Sequence, residues 1–194
     1  MPSEWAPNAP WPQLLALATL TSPFWEIDVV SANIPNGSGK GRHKIETIEA
    51  LAKGLGGGPS RPRIIGGDFN EPSAVPPDGR VIPFGGLEDD RGAVQREGDR
   101  FHRSSGDTNP RARWRDGVMS VLAPDAHHGL RHVWFDRYGY TEVTTHERRS
   151  NKRFFDHLLV SSHFEVRDAG YHDEGWRTNG PSYHSAAWAQ IVVR

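Results

Sequence analysis

Apolar and polar residues alternate through FWEIDVVSANI (24–34), around Ile27, Val29 and Ala32. A period of two belongs to an extended chain whose two sides meet different surroundings, so a strand is predicted there. The period changes in HKIETIEALAKGL (43–55), where Ile45, Ile48, Leu51 and Leu55 recur at three-to-four spacing. That spacing predicts a helix, preceded by a loop over PNGSGKG (35–41) and stopped by the glycines at 56–58. A second apolar run, around Ile64-Ile65, ends in Gly66-Gly67. Strand, helix, strand is the order of a crossover unit, in which two parallel strands are joined by a helix laid on the sheet. The fold class expected from this unit is α/β.

Downstream the pattern weakens. Residues 71–113 show little periodicity and much Pro, Gly, Asp and Arg, as a long loop or small insertion would. WRDGVMSVLAP (114–124) is a second helix candidate, and GLRHVWFDRYG (129–139) a helical turn ending at Gly139. RFFDHLLVSSHF (153–164) has the composition of a strand with Asp156 near its start, and SAAWAQIVV (185–193) that of a final, buried strand. No internal repeat or second domain is visible. Residues 1–194 are expected to form one domain, with 1–23 as an irregular amino-terminal segment.

Composition narrows the chemistry. The 194 residues suffice for one core, and seven tryptophans offset a hydrophobic content of only 36%. No apolar run is long enough to span a membrane. LLALATL (14–20) follows Glu4 and Pro12 rather than a basic stretch, and no small-residue cleavage site comes after it, so it does not resemble a signal peptide. Cysteine is absent, which excludes disulfides and thiolate metal sites and suits a cytoplasmic protein. Net charge is −1, so the molecule as a whole is no polyanion binder. Arginine nevertheless gathers in 91–115 and in ERRSNKR (147–153), either as solvated loop or as a surface for phosphate backbone.

Three short clusters carry candidate chemistry. In RPRIIGGDFNEPS (61–73) a buried strand runs out into Asp68 and Asn70. In extended chain, residues i and i+2 face the same side, at the strand end where open α/β sheets bind ligands. A carboxylate there can hold Mg²⁺ or accept a proton from water, and an amide can orient a phosphate oxygen without adding charge. A plain polar turn is the alternative. The second cluster is Phe155-Asp156-His157, and the third is Ser182-Tyr183-His184-Ser185, just before the last apolar run. An aspartate beside a histidine fixes the imidazole tautomer and stabilises its cation, which can then meet a phosphoryl oxygen. His127, His128 and His146 have the look of solvent-exposed loop residues.

Taken in order, several segments resemble the endonuclease/exonuclease/phosphatase superfamily on its exonuclease III-like side. They are Ile34-Pro35-Asn36-Gly37, the amphipathic helix, Gly67-Asp68-Phe69-Asn70, Gly129-Leu130-Arg131-His132-Val133-Trp134, Phe155-Asp156-His157 and Ser182-Tyr183-His184-Ser185. The resemblance spans roughly residues 24–193. It implies a four-layer α/β sandwich, two packed mixed sheets flanked by helices, that cleaves phosphate esters with Mg²⁺ or Mn²⁺. It also implies roles. Asp68 would activate water or bind metal, with Asn70 as a further metal ligand that also orients phosphate. Asn36, Asn33 and Arg153 would contact substrate. Asp156 would pair with His184, and His184 would bind the transition-state oxyanion.

Three departures qualify the resemblance. Residues 1–23 reproduce neither the family's first strand with its Asn nor the strand-end Glu that is its main metal ligand. The chain would thus be amino-terminally truncated relative to the family. The residue before Ile34-Pro35 is Asn33 rather than Tyr or His, and the final Ser-Asp-His motif carries Tyr183 in place of its carboxylate. Glu71, Glu26 or Glu4 would have to substitute. A missing strand would also leave an edge for residues 5–20, or a second copy in a homodimer, to cover. The function expected is a metal-dependent nuclease acting on DNA. The alternatives are a small-molecule phosphatase or phosphodiesterase, and a catalytically impaired relative that binds nucleic acid or a protein.

Overall fold

The structure, a computed structural model, describes residues 10–56, 58–84, 110–148, 151–174, 177 and 179–194. Most of the arginine-rich stretch 91–115 lies outside them. After a short 3-10 turn, Pro12–Leu14, comes strand β1, Leu15–Thr21, and then β2, Glu26–Asn33. The two pair antiparallel from Leu15↔Ala32 to Thr21↔Glu26. The segment 1–23 is therefore not irregular throughout. Ser22 makes the reversal possible: its Oγ accepts the amides of Phe24 and Trp25, closing a tight turn.

Helix α1, Gly37–Leu55, follows and includes the glycine-rich run expected as loop. Strand β3, Arg63–Asp68, then lies parallel to β2. This is the expected crossover unit. Helix α2 spans Pro110–Leu122, the two-residue β4 is Arg131–His132, and α3 is Val133–Tyr138. His132 caps α3 through Nδ1, which accepts the amide of Trp134. The single strand expected over 153–164 is divided. Strand β5, His146–Arg148, forms a hairpin with β6, Asn151–Arg153, and β7, Asp156–Val160, starts after Phe154-Phe155. Strand β8, Phe164–His172, pairs antiparallel with β9, Ala186–Val193.

The main sheet has the order β1-β2-β3-β7-β4. On one face, Val30, Ala32, Ile65 and Leu159 pack against Ile45, Ile48, Leu51 and Leu55 of α1 and Trp114, Val118 and Val121 of α2. Truncating one such fully buried leucine costs about 2–5 kcal/mol. On the other face, Ile27, Val29, Ile64, Leu158 and Val160 meet Phe164, Val166 and Ala169 of β8 and Ala189 and Ile191 of β9. Helix α3 joins this second core through Val133 and rests on β8, where the Tyr138 hydroxyl donates to Asp168. The result is an α/β sandwich of two packed sheets with helices, as expected.

The last strand is not buried. Trp188 and Val192 on β9 are 41% and 45% exposed, because no described element covers the outer face of the β8–β9 hairpin. No helix among the described residues is long and apolar enough to cross a membrane.

Candidate active site

Asp68 ends β3 and Asp156 begins β7, and the two are direct cross-strand partners. Asn33, at the end of β2, is the register partner of Asp68 on the other side. One row of polar residues thus crosses three strand ends. By strand alternation Asp68 shares a side with Ile64 and Gly66, and Asp156 with Leu158, so both carboxylates open towards the β8–β9 side. Gly67 makes this edge possible. Its φ is +151°, and a Cβ there would fall 1.8 Å from the Ala32 carbonyl oxygen.

The third member arrives from the segment before β9. Tyr183 O accepts the amide of Glu147 and Ser185 N donates to Thr145 O, so β5 holds residues 183–185 in place. Thr145 also fixes the opposite partner, its Oγ1 accepting the amides of Phe155 and Asp156. His184 Nδ1 then donates to the Asp156 carboxylate, 3.1 Å from each oxygen. A carboxylate only accepts, so the proton sits on Nδ1 and Nε2 points at Asp68 Oδ2, 3.9 Å away. Asp68, Asp156 and His184 offer ligand atoms all within 4.8 Å of one another.

The charges are unevenly compensated. Burial raises the Asp68 carboxyl to about 6, and neighbouring Asp156 pushes the same way, against the Asn70 amide and His184. The hydrogen bond to Asp156 raises His184 above its ordinary value. Around neutrality the trio therefore holds an ionised Asp68 beside an imidazole biased towards its cation.

Asn70 reaches Asp68 by a turn rather than by strand alternation. Its φ is +49°, its amide donates to Asp68 Oδ1, and its Nδ2 bridges Asp68 Oδ2 and Ile34 O. Both partners of Nδ2 are acceptors, which fixes the amide orientation and makes Asn70 a group that positions Asp68. Asn36 is exposed and lies in the loop leading into α1, two residues beyond Ile34, whose amide donates to Asp68 O. Arg153 stands further off, on β6 opposite His146, with its guanidinium 5.5 Å from the Phe84 ring centre.

Glu71 corrects an expectation. Its carboxylate is fully buried, with Oε1 bound by Lys44 Nζ at 2.7 Å and Trp114 Nε1 at 2.8 Å, and Oε2 by the Phe84 amide at 3.0 Å. An acid so occupied anchors the loop, and it is not among the three residues whose ligand atoms converge at the site. Two histidines also differ from expectation. His128 is buried, its ring held between Val121 O and the Leu130 amide. His146 is half-buried, with its ring 4.6 Å from that of His184 and 5.1 Å from that of Phe155, and among the described residues its Nδ1 has no hydrogen-bond partner. Nothing local in THERRS marks that contact. The β5–segment pairing that creates it joins residues far apart in sequence.

The donor set fits a hard divalent cation. Two carboxylates adjoin, one of them left with a raised pKa by burial, and that is the charge a cation would relieve. Asp68 and Asp156 are the residues that would hold it.

Together these elements make an α/β sandwich that carries a row of polar groups across its strand ends. Among solved structures, it is similar to a humanized TDP2 of D. rerio with 14 mutations, at a TM-score of 0.54 and 10% identity over 92% of this chain and 60% of that one. It is also similar to an endonuclease/exonuclease/phosphatase family protein of Leptotrichia buccalis C-1013-b, at a TM-score of 0.50 and 12% identity over 92% of this chain and 52% of that one. The chain thus spans between half and three fifths of the length of these neighbours. No protein-family model and no curated protein sequence matches it.

Proposed function

We propose that the chain is a divalent-metal-dependent hydrolase of phosphate esters, a nuclease that cleaves DNA phosphodiester bonds. The observation that carries this reading is the convergence of Asp68, Asp156 and His184 from three separate segments on one strand-end row. Asp68 and Asp156 would hold Mg²⁺ or Mn²⁺, which when bound offsets phosphate charge and acidifies water. Asp68 accepts the proton of the attacking water, its carboxylate held in place by both Asn70 donors. His184, oriented at Nδ1 by Asp156, presents Nε2–H to a non-bridging phosphoryl oxygen and stabilises the charge that develops there. Asn33, the register partner of Asp68, and Asn36, in the loop leading into α1, would contact the substrate from the same strand-end side.

A polymeric substrate is supported by Arg148, Lys152 and Arg153 on the β5–β6 hairpin next to His184. Single- and double-stranded oligodeoxynucleotides incubated with Mg²⁺ or Mn²⁺ test the reading. Cleavage by the parent, falling at least about a hundredfold in Asp68→Ala and His184→Ala, is the expected result. A parent inert with both metals on both substrates rejects it. Affinity that declines steeply with salt marks a polymer, whereas a shallow decline points to a small phosphoester.

A further inference from the structure

Tyr183 stands where the superfamily's last motif places a carboxylate, and it leaves its aromatic ring 59% exposed. Large exposed aromatic side chains forgo much of the burial that usually holds them in a core. This one is also on a fixed backbone. Tyr183 O accepts the Glu147 amide at 3.1 Å, Ser182 Oγ accepts the His184 amide at 3.0 Å, and Ser185 N donates to Thr145 O at 2.7 Å. The ring is not alone, since the Arg148 guanidinium lies 5.6 Å from its centre. Arg148 is itself exposed, and among the described residues no carboxylate lies within ion-pair distance of it.

The exposed Tyr183 ring, next to His184 on a fixed backbone, and the planar cation of Arg148 beside that ring match the two halves of a nucleotide. A base has a π-face for the ring to stack on, whatever its sequence, and the adjoining phosphate suits the guanidinium. Tyr183 adjoins His184, and neighbouring side chains of an extended segment leave opposite sides, so a phosphoryl group at His184 and a base at Tyr183 would stand apart, as a phosphate and the base of a flanking nucleotide do. A protein or lipid partner would want a wider apolar patch than one ring. We propose that Tyr183 and Arg148 form a stacking subsite for the nucleobase flanking the scissile phosphate, an inference that rests on the phosphodiesterase reading of the site.

The test separates base stacking from backbone binding. Fluorescence anisotropy, at low salt and with divalent cations chelated, compares a labelled single-stranded oligodeoxynucleotide with an abasic strand of equal length. Tyr183→Ala should weaken binding of the base-bearing strand about tenfold and leave the abasic strand unchanged, while Tyr183→Phe keeps parental affinity for both. Equal losses on the two strands, no loss on either, or a parent that binds neither strand would overturn the subsite. Hydrolysis of bis(4-nitrophenyl) phosphate with Mn²⁺, which has no base to stack, tests the underlying reading by itself. A parent active there but showing no base-dependent effect of Tyr183→Ala loses the subsite alone, and a parent inert there loses the phosphodiesterase assignment.

Discussion

Asp68, the last residue of β3, and Glu71, three residues further on, carry carboxylates in opposite circumstances. Glu71 is deeper, yet each of its oxygens has a donor, including the buried ammonium of Lys44. Lys44 also donates to Asn70 O at 2.7 Å, so the same cation that neutralises Glu71 clamps the turn that presents Asp68. Asp68 has the Asn70 donors, a cross-strand aspartate and a histidine beyond hydrogen-bond reach, and its carboxyl is raised to about 6. Burial depth does not separate a structural acid from a chemical one. Compensation does: a paired charge holds the loop, and the uncompensated one is left free for a proton, a cation or a substrate.

The sharpest break of that comparison is in activity. Asp68→Ala or His184→Ala should lower metal-dependent cleavage about 10²–10⁴-fold with little loss of fold, read by steady-state kinetics beside circular dichroism. Glu71 should behave in reverse. Lys44→Met, which strands a buried carboxylate, should cost about 3–5 kcal/mol in urea unfolding. Adding Glu71→Leu should restore much of that stability, because the stranded charge goes with it. A Lys44→Met protein as stable as the parent would show that the pair is not the anchor described above.

A smaller effect runs the other way. A carboxyl whose folded pKa, about 6, exceeds its unfolded value near 4 binds its proton more tightly in the native state. Its contribution to stability is therefore present at low pH and is lost as pH rises from about 4 through 6. Asp68→Asn should accordingly stabilise the protein at pH 7 by on the order of 1–2 kcal/mol, the gain fading by pH 4. Gained stability with lost activity is what an uncompensated site acid gives. The smallest change is in the pH–rate profile. Activity should rise through about pH 6 as Asp68 ionises and fall above the ordinary histidine range, where Asp156 holds the His184 proton. Metal at Asp68 should move the acidic limb lower, and Asp156→Asn should move the alkaline limb down.

How much of this was legible in the chain follows from what is local. The alternation in 24–34 and the three-to-four spacing in 43–55 are written within single elements, and β2 and α1 formed there. LALATLT shows no clean alternation, because strand β1 is specified by the free edge of β2 that it covers. The same holds for β8, whose FEVRDAGYH mixes charges into a strand needed only once β9 lies beside it. At the site, Asp68, Asp156 and His184 were visible as residues at strand ends, but the register that sets Asp68 opposite Asp156 was not. The buried pairing of Glu71 is not legible locally, because its partners, Lys44 and Trp114, come from two helices on the far side of the sheet. The contact of His146 with His184 is hidden in the same way, because it forms through an isolated bridge between distant segments.

The contrast between the two acids can be read directly from the carboxyl carbons. In ¹³C NMR of labelled protein, Asp68 is assigned by loss of its resonance in Asp68→Asn and followed from pH 3 to 8, first without and then with Mg²⁺. The expected result is a midpoint near 6 for Asp68 that falls when Mg²⁺ is added. A midpoint in the ordinary range near 4, unmoved by the cation, would contradict the claim that this carboxylate is the open charge around which the site is built.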